Sequence, residues 1–256
     1  MQQSNLARAI RIALSRVQLP NNLDLDQIRE LARLAQLVNE EAITFLADLK
    51  TVRTEREYVA NQLFRASFDH GRGLLFLIHT NPLDMCGPAL ALHRSQIENF
   101  LRGAYLGFLA DDEQLQDFLE SDDGIRERNL KGKWQTIGPI RLASKVETLI
   151  DSLGELNDSE EKESSLSVMV ENAWTPLCGM VHGGKAVRAF YEDGQGQIGA
   201  DIPLPIMVHT IRNCYAITNF GFILVIAKIY GLEGIPRDSA FAKATANFIR
   251  FLKSIE

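Results

Sequence analysis

Cysteine is scarce in this chain of 256 residues: Cys86, Cys178 and Cys214 lie far apart, and no Cys-x-x-Cys occurs. An odd number at such spacing excludes a disulfide framework and suits reduced thiols, so the cytoplasm is the expected location. Long apolar runs are missing too. The longest, Phe220 to Ala227, is far too short to cross a bilayer, and charges interrupt the apolar stretch of MQQSNLARAIRIALSRVQ where a signal peptide needs its core. No membrane association is expected. A basic surplus is also absent. The net charge of −6 argues against a broad nucleic-acid-binding surface and leaves room only for a local basic patch.

Several chemical signatures are missing as well. Neither Glu-x-x-His nor His-Glu-x-x-His occurs, so although Cys178 and His182 have i, i+4 spacing, no metal site and no cofactor is expected. The segment GMVHGGKA from Gly179 puts Ala186 where a phosphate-binding loop needs Ser or Thr, and GQGQIG from Gly194 lacks a preceding strand. The Gly-x-Ser-x-Gly elbow of hydrolases does not occur. Alternating β-branched runs, the mark of strands, are absent.

What is present is helical periodicity. Apolar residues at i, i+3, i+4 and i+7 recur along nearly the whole chain, and 46% hydrophobic residues suffice for a full core. The fold class expected is all-α, a single multi-helix bundle formed as one domain over residues 1–256. Helices are predicted over Asn5–Val17, from Asp24 or Asp26 to Lys50, over Thr54–His79, and from the Leu83–Gly87 region to Ala110. Asp112–Glu120 reads as a short acidic helix, and the Gly- and Pro-containing stretch that follows reads as an irregular surface insertion. Further helices are predicted over Ile140–Leu153, Leu166–Tyr191 with Pro176 as a kink or split, Pro205–Tyr230 and Asp238–Ile255. A charged linker, NDSEEKESS, and a Gly-rich turn, DGQGQIGADIPLP, separate the later elements.

Two charges fall where one of these helices should be most apolar. With Arg94 set at zero on the helical wheel, Glu98 lies about 40° away, and Leu90, Ile97, Leu101, Tyr105, Phe108 and Leu109 fall within about 60°, while Gln96 points outward. An unpaired buried charge costs several kcal/mol, so Arg94 and Glu98 should pair with each other as i, i+4 neighbours or line an interior cleft. His70 shares a face with Leu63, Ala66 and Leu74 and points inward. His182 sits among small residues beside Gly183 and Gly184, which permit either tight packing or close approach of a ligand, with Lys185 next to them. His79, His93 and His209 read as structural or exposed. Arg126, Arg128, Lys131 and Lys133 precede Trp134, a set of cations beside a stacking platform that suits phosphate and base contacts as well as a solvated loop.

The order DHGRGLLFLI, ALALHRSQIENFLRGAYL and WTPLCGMVHGGKAVR resembles a bacterial family of HEPN-like helical proteins of unknown function, in which an Arg-x3-Glu helix and a late His-Gly-Gly segment recur. The likeness spans Arg65 to Tyr230, making residues 54–230 a HEPN-like core between N-terminal helices within 1–50 and a C-terminal helix over 238–255. His70, Arg94, Glu98, Arg102, His182 and Gly183 match its pattern positions. The resemblance implies a module acting in stress or phage defence that dimerises and binds RNA, a nucleotide or a partner protein. HEPN ribonucleases also carry Arg-x4–6-His on a late helix. Here Arg212 is followed by Ile217, Thr218 and Asn219, and the histidine is missing. Three readings follow: a non-catalytic binding module, a metal-independent ribonuclease in which His182 or His70 moves protons while Arg94 steadies phosphate and Glu98 orients it, or a purely structural subunit. Each of the first two requires His70, Arg94, Glu98 and His182 to converge.

Overall fold

Local capping chemistry sets most of the helix boundaries in the computed structural model, which describes residues 23–48, 54–121, 124–152, 165–191, 202–231, 235–236 and 238–255. Helix α1 spans Leu25–Asp48. Helix α2, Glu55–Thr80, opens with a reciprocal box in which the Thr54 hydroxyl accepts from the Glu57 backbone N–H and the Glu57 carboxylate accepts from that of Thr54. A single residue, Asn81, both ends α2 and caps α3, Pro82–Phe108, with Pro82 in the first turn where its missing N–H costs nothing. The far end of α3 is closed by Arg56 of α2, whose guanidinium donates to the carbonyls of Leu106 at 2.7 Å and Ala110 at 2.6 Å. Expectation and structure agree here within a few residues.

Two later expectations are corrected. The stretch after α4 (Asp112–Ser121) is not irregular: β1, Arg126–Arg128, and β2, Trp134–Thr136, form an antiparallel hairpin with Arg128 opposite Trp134. Gly132, at φ +71°, supplies the left-handed residue its turn requires. After α5, Pro139–Asp151, the long predicted helix breaks at His182–Gly184, while Pro176 stays inside α6, Leu166–Val181. Helix α7, Lys185–Tyr191, follows. The break is a Schellman cap, in which Gly183 at φ +69° lets the Gly184 N–H donate to the Gly179 carbonyl at 2.8 Å. That cap accounts for both glycines without a ligand.

Helix α8, Leu204–Leu224, runs through the middle of the bundle and ends in a π-helical turn, Val225–Ile229. The stretch Leu204–Ile229 has the length and apolar composition of a membrane span, but 89% of its most apolar window is buried among other helices. Helices α1, α2 and α3 pack around it, α9 (Ala240–Ser254) lies on α1, and α5 and α6 cover α3. The core is aromatic: Tyr215 stacks on Phe248 at 4.0 Å, and Phe64, Phe68, Phe100, Phe222 and Phe241 are almost fully buried. The predicted N-terminal helix, Asn5–Val17, and most of the charged linker and Gly-rich turn fall outside the described residues.

Candidate functional site

Enclosure by several neighbours decides which residues of α3 are inside. Its buried set includes Cys86, Leu90, His93, Gln96, Ile97, Phe100 and Ala104, so the inward arc centres near His93 and Ile97 rather than on Arg94. Gln96 is wholly buried, against the outward position expected from one apolar stripe, because α2 covers that side. Arg94 and Glu98 stand at the margin, with side chains 22% and 28% exposed.

Along that margin runs a ladder of charges one helical turn apart. Arg102 donates to Glu98 Oε1 at 2.6 Å, whereas the nearest Arg94 nitrogen is 3.7 Å from Glu98 Oε2, beyond hydrogen-bond length. The guanidinium of Arg94 instead lies over the Trp174 ring of α6, 5.1 Å from its centroid. Its Nε is buried and has no hydrogen-bond partner among the described residues. Two guanidiniums therefore share one carboxylate, Arg102 through a hydrogen bond and Arg94 through the longer i, i+4 ion pair that the sequence had offered as one alternative.

The histidines do not join it. Leu92 and Gly103 face α2, since Cβ atoms on Gly73 and Gly103 would lie 3.3 Å from Leu92 Cδ1 and 3.2 Å from Leu63 Cβ. Those two α3 positions are about 160° and 180° from Arg94 on the wheel. His70, on α2, is thus on the other flank of α3. His182 is the exposed C-cap of α6, eight residues beyond Trp174 and so about 12 Å further along the helix axis. Neither imidazole makes a hydrogen bond or ion pair among the described residues, and the expected convergence of His70, Arg94, Glu98 and His182 is replaced by the row Arg94–Glu98–Arg102 with Trp174. Lys185 is exposed at the start of α7. Among the described residues, no three metal-ligating side chains cluster.

The basic loop is likewise rearranged by pairing. Arg126 Nε donates to Asp117 at 2.8 Å and Arg128 Nε to Glu113 at 3.1 Å, which holds the Glu113 carboxyl below its ordinary range. Both guanidiniums also cover the face of Trp134, at 5.9 and 4.6 Å. The stacking platform is therefore already occupied from within the hairpin, and Lys131 and Lys133 face water.

A polar node that sequence patterning did not reveal lies where α1, α2, α3 and α8 meet. The Gln96 amide donates through Nε2 to the Cys214 carbonyl at 3.2 Å, so its Oε1 faces His93 Nδ1 at 2.9 Å and accepts the imidazole proton. The Ser67 hydroxyl donates to the Gln96 carbonyl at 2.9 Å, and Asn39 Nδ2 donates to Thr218 Oγ1 at 2.9 Å. His93 is 1% exposed, and burial pushes its pKa down to about 4, partly opposed by the Gln96 hydrogen bond. Arg212, the best counterpart of the ribonuclease arginine, is buried to the same degree. Only the i, i+3 spacing of His93 and Gln96 hinted at this cluster, because Asn39 and Thr218 are 179 residues apart.

A family model matches residues 64–236, that of a family of unknown function, DUF6988. No curated protein and no solved structure matches the chain.

Proposed function

The chain belongs to DUF6988, a family of unknown function, and we propose that it is a HEPN-like helical module of bacterial stress or phage-defence type that binds RNA without cutting it. The contact in this reading is an RNA phosphate on the exposed edge of the Arg94 guanidinium, with Arg102, on the far side of Glu98, adding longer-range attraction. One observation carries it: the partly exposed Arg94 guanidinium lies over Trp174, makes no side-chain hydrogen bond among the described residues, and holds its ion pair with Glu98 only at 3.7 Å. A planar fork with open donors suits a phosphate oxygen better than a lysine would. The binding role is favoured over cleavage because the imidazole next to Arg94 in sequence, that of His93, is buried, neutral and turned toward Gln96, while the candidate bases His70 and His182 lie on the other flank of α3 and further along α6.

Fluorescence anisotropy with a labelled single-stranded RNA tests the reading, together with a gel assay for intact RNA. A charge-assisted hydrogen bond contributes about 1.5–3 kcal/mol, so Arg94→Met should weaken binding roughly ten- to hundredfold at unchanged melting temperature. The RNA should stay whole. Micromolar binding that Arg94→Met and Arg102→Met leave untouched, or no binding at all, refutes the proposal.

A further inference from the structure

A second feature lies well away from the charge row, between the end of α1, the first half of α2 and the residue after the π turn. Ile43, Leu46 and Ala47 of α1, with Phe64 and Phe68 of α2, wall a cavity of about 190 Å³, joined by Tyr230. The π turn places that tyrosine: the Tyr230 N–H reaches back five residues to the Val225 carbonyl at 3.2 Å. Two polar residues, Asn61 and Arg65, complete the lining. Asn61 Nδ2 is a buried donor with no hydrogen-bond partner among the described residues. Arg65 spends only Nε on Asp69, at 3.0 Å, which leaves its terminal nitrogens for another acceptor. Asp69 also pairs with Arg72 at 3.0 Å, so two cations share this carboxylate on the Arg65 side, while the charge of Glu57 acts on the Tyr230 side.

A half-open, largely apolar cavity with the Asn61 amide and the Arg65 guanidinium at its polar end selects a ligand by shape and sign. We propose that this cavity binds a small aromatic carboxylate, its ring against Leu46, Ala47 and the Tyr230 ring above the buried Phe64 and Phe68, and its carboxylate on Asn61 Nδ2 and the Arg65 guanidinium. Size agrees, since apolar cavities of roughly 150 Å³ accept a benzene ring. A neutral carboxamide has one acceptor oxygen and no charge, so it leaves one donor unanswered and forgoes the charge-assisted bond to Arg65.

The full chain is titrated with phenylacetate and, separately, with phenylacetamide, while methyl resonances of Ile43 and Leu46 are followed by NMR. About ten heavy atoms support a dissociation constant near a tenth of a millimolar to a millimolar for the acid. The amide should bind at least about tenfold more weakly. Arg65→Gln should remove that difference. Ala47→Leu, an exposed position at the mouth, should abolish binding of both at unchanged stability. Equal affinity for acid and amide, absence of any shift at Ile43 and Leu46, or binding that survives Ala47→Leu overturns the proposal. RNA affinity is indifferent to each of these variants.

Discussion

Acid should weaken this fold through one imidazole. Because the Gln96 amide is oriented by its bond to the Cys214 carbonyl, His93 carries its proton on Nδ1, and Nε2 is buried with no hydrogen-bond partner among the described residues. A second proton on Nε2 would create a charge in a site 1% exposed, and the thiol on the far side of Gln96, Cys214, is pushed up to about 12 by burial and stays neutral. The folded imidazole therefore titrates near 4, against about 6.5 in the unfolded chain. Below pH 6.5 the unfolded chain takes up a proton that the folded chain refuses, so stability falls as pH falls, until both states are protonated below about 4. At about 1.4 kcal/mol per unit, the loss is about 2 kcal/mol between pH 7 and pH 5 and about 3 kcal/mol by pH 4.

Urea unfolding at a series of pH values measures this, with His93→Gln as the reference that cannot titrate at the site. The wild-type curve should descend more steeply than that of the variant by the stated amount, other groups contributing equally to both. Should His93→Gln be too weak to unfold cooperatively, the His93 ring proton read by NMR reports the midpoint in the intact protein. Parallel stability curves, or an NMR midpoint near 6.5, refute the reasoning.

The polar node gives a packing prediction as well. A Cβ at Gly71 would lie 2.7 Å from Gln96 Nε2 and 3.0 Å from Asn39 Nδ2, so Gly71→Ala must displace two bonded amides at once. Overpacking plus a strained hydrogen bond amounts to about 3 kcal/mol, or roughly 6–12 °C in melting temperature by calorimetry, and a shift under 2 °C contradicts it. Thiol labelling should separate the cysteines: Cys86 and Cys214 are buried with pKa values pushed to about 12, so one equivalent, Cys178, reacts in the folded protein and three in denaturant. Two or three equivalents before unfolding would contradict the described core.

The helical class and most boundaries were legible because they rest on short-range chemistry, such as the Thr54 and Glu57 spacing or the Asn81-Pro82 step. The hairpin was not, since three-residue strands are too short to display a period of two. His182-Gly183-Gly184 was read as a possible ligand approach, although the same residues equally spell a helix stop. The site was half legible. Arg94 and Glu98 were rightly singled out as unusual for a helix face, but the wheel assumed one buried stripe, whereas α3 touches α2, α5, α6 and α8. A helix enclosed on several sides has no single inward direction. Gln96 and His93 were missed for that reason, and His70 was drawn toward Arg94 when the body of α3 lies between them.

Helix α3 thus handles polarity in two opposed ways. On its buried side every partner is neutral: an amide, a hydroxyl, a thiol and an uncharged imidazole exchange hydrogen bonds, so much of the cost of burial is offset locally, and the atoms left over, His93 Nε2 and Asn39 Oδ1, are closed to solvent. At its margin the groups are ionised and the count does not close, two arginines standing against one glutamate. Were the margin purely structural, a hydrophobic pair at Arg94 and Glu98 would serve as well, because buried or half-buried ion pairs seldom outperform apolar packing. A surplus cation held against Trp174 yet still about one-fifth exposed keeps access to an external anion, which the neutral node cannot have. The asymmetry between the two sides, rather than the presence of charge alone, is what directs the binding hypothesis to Arg94.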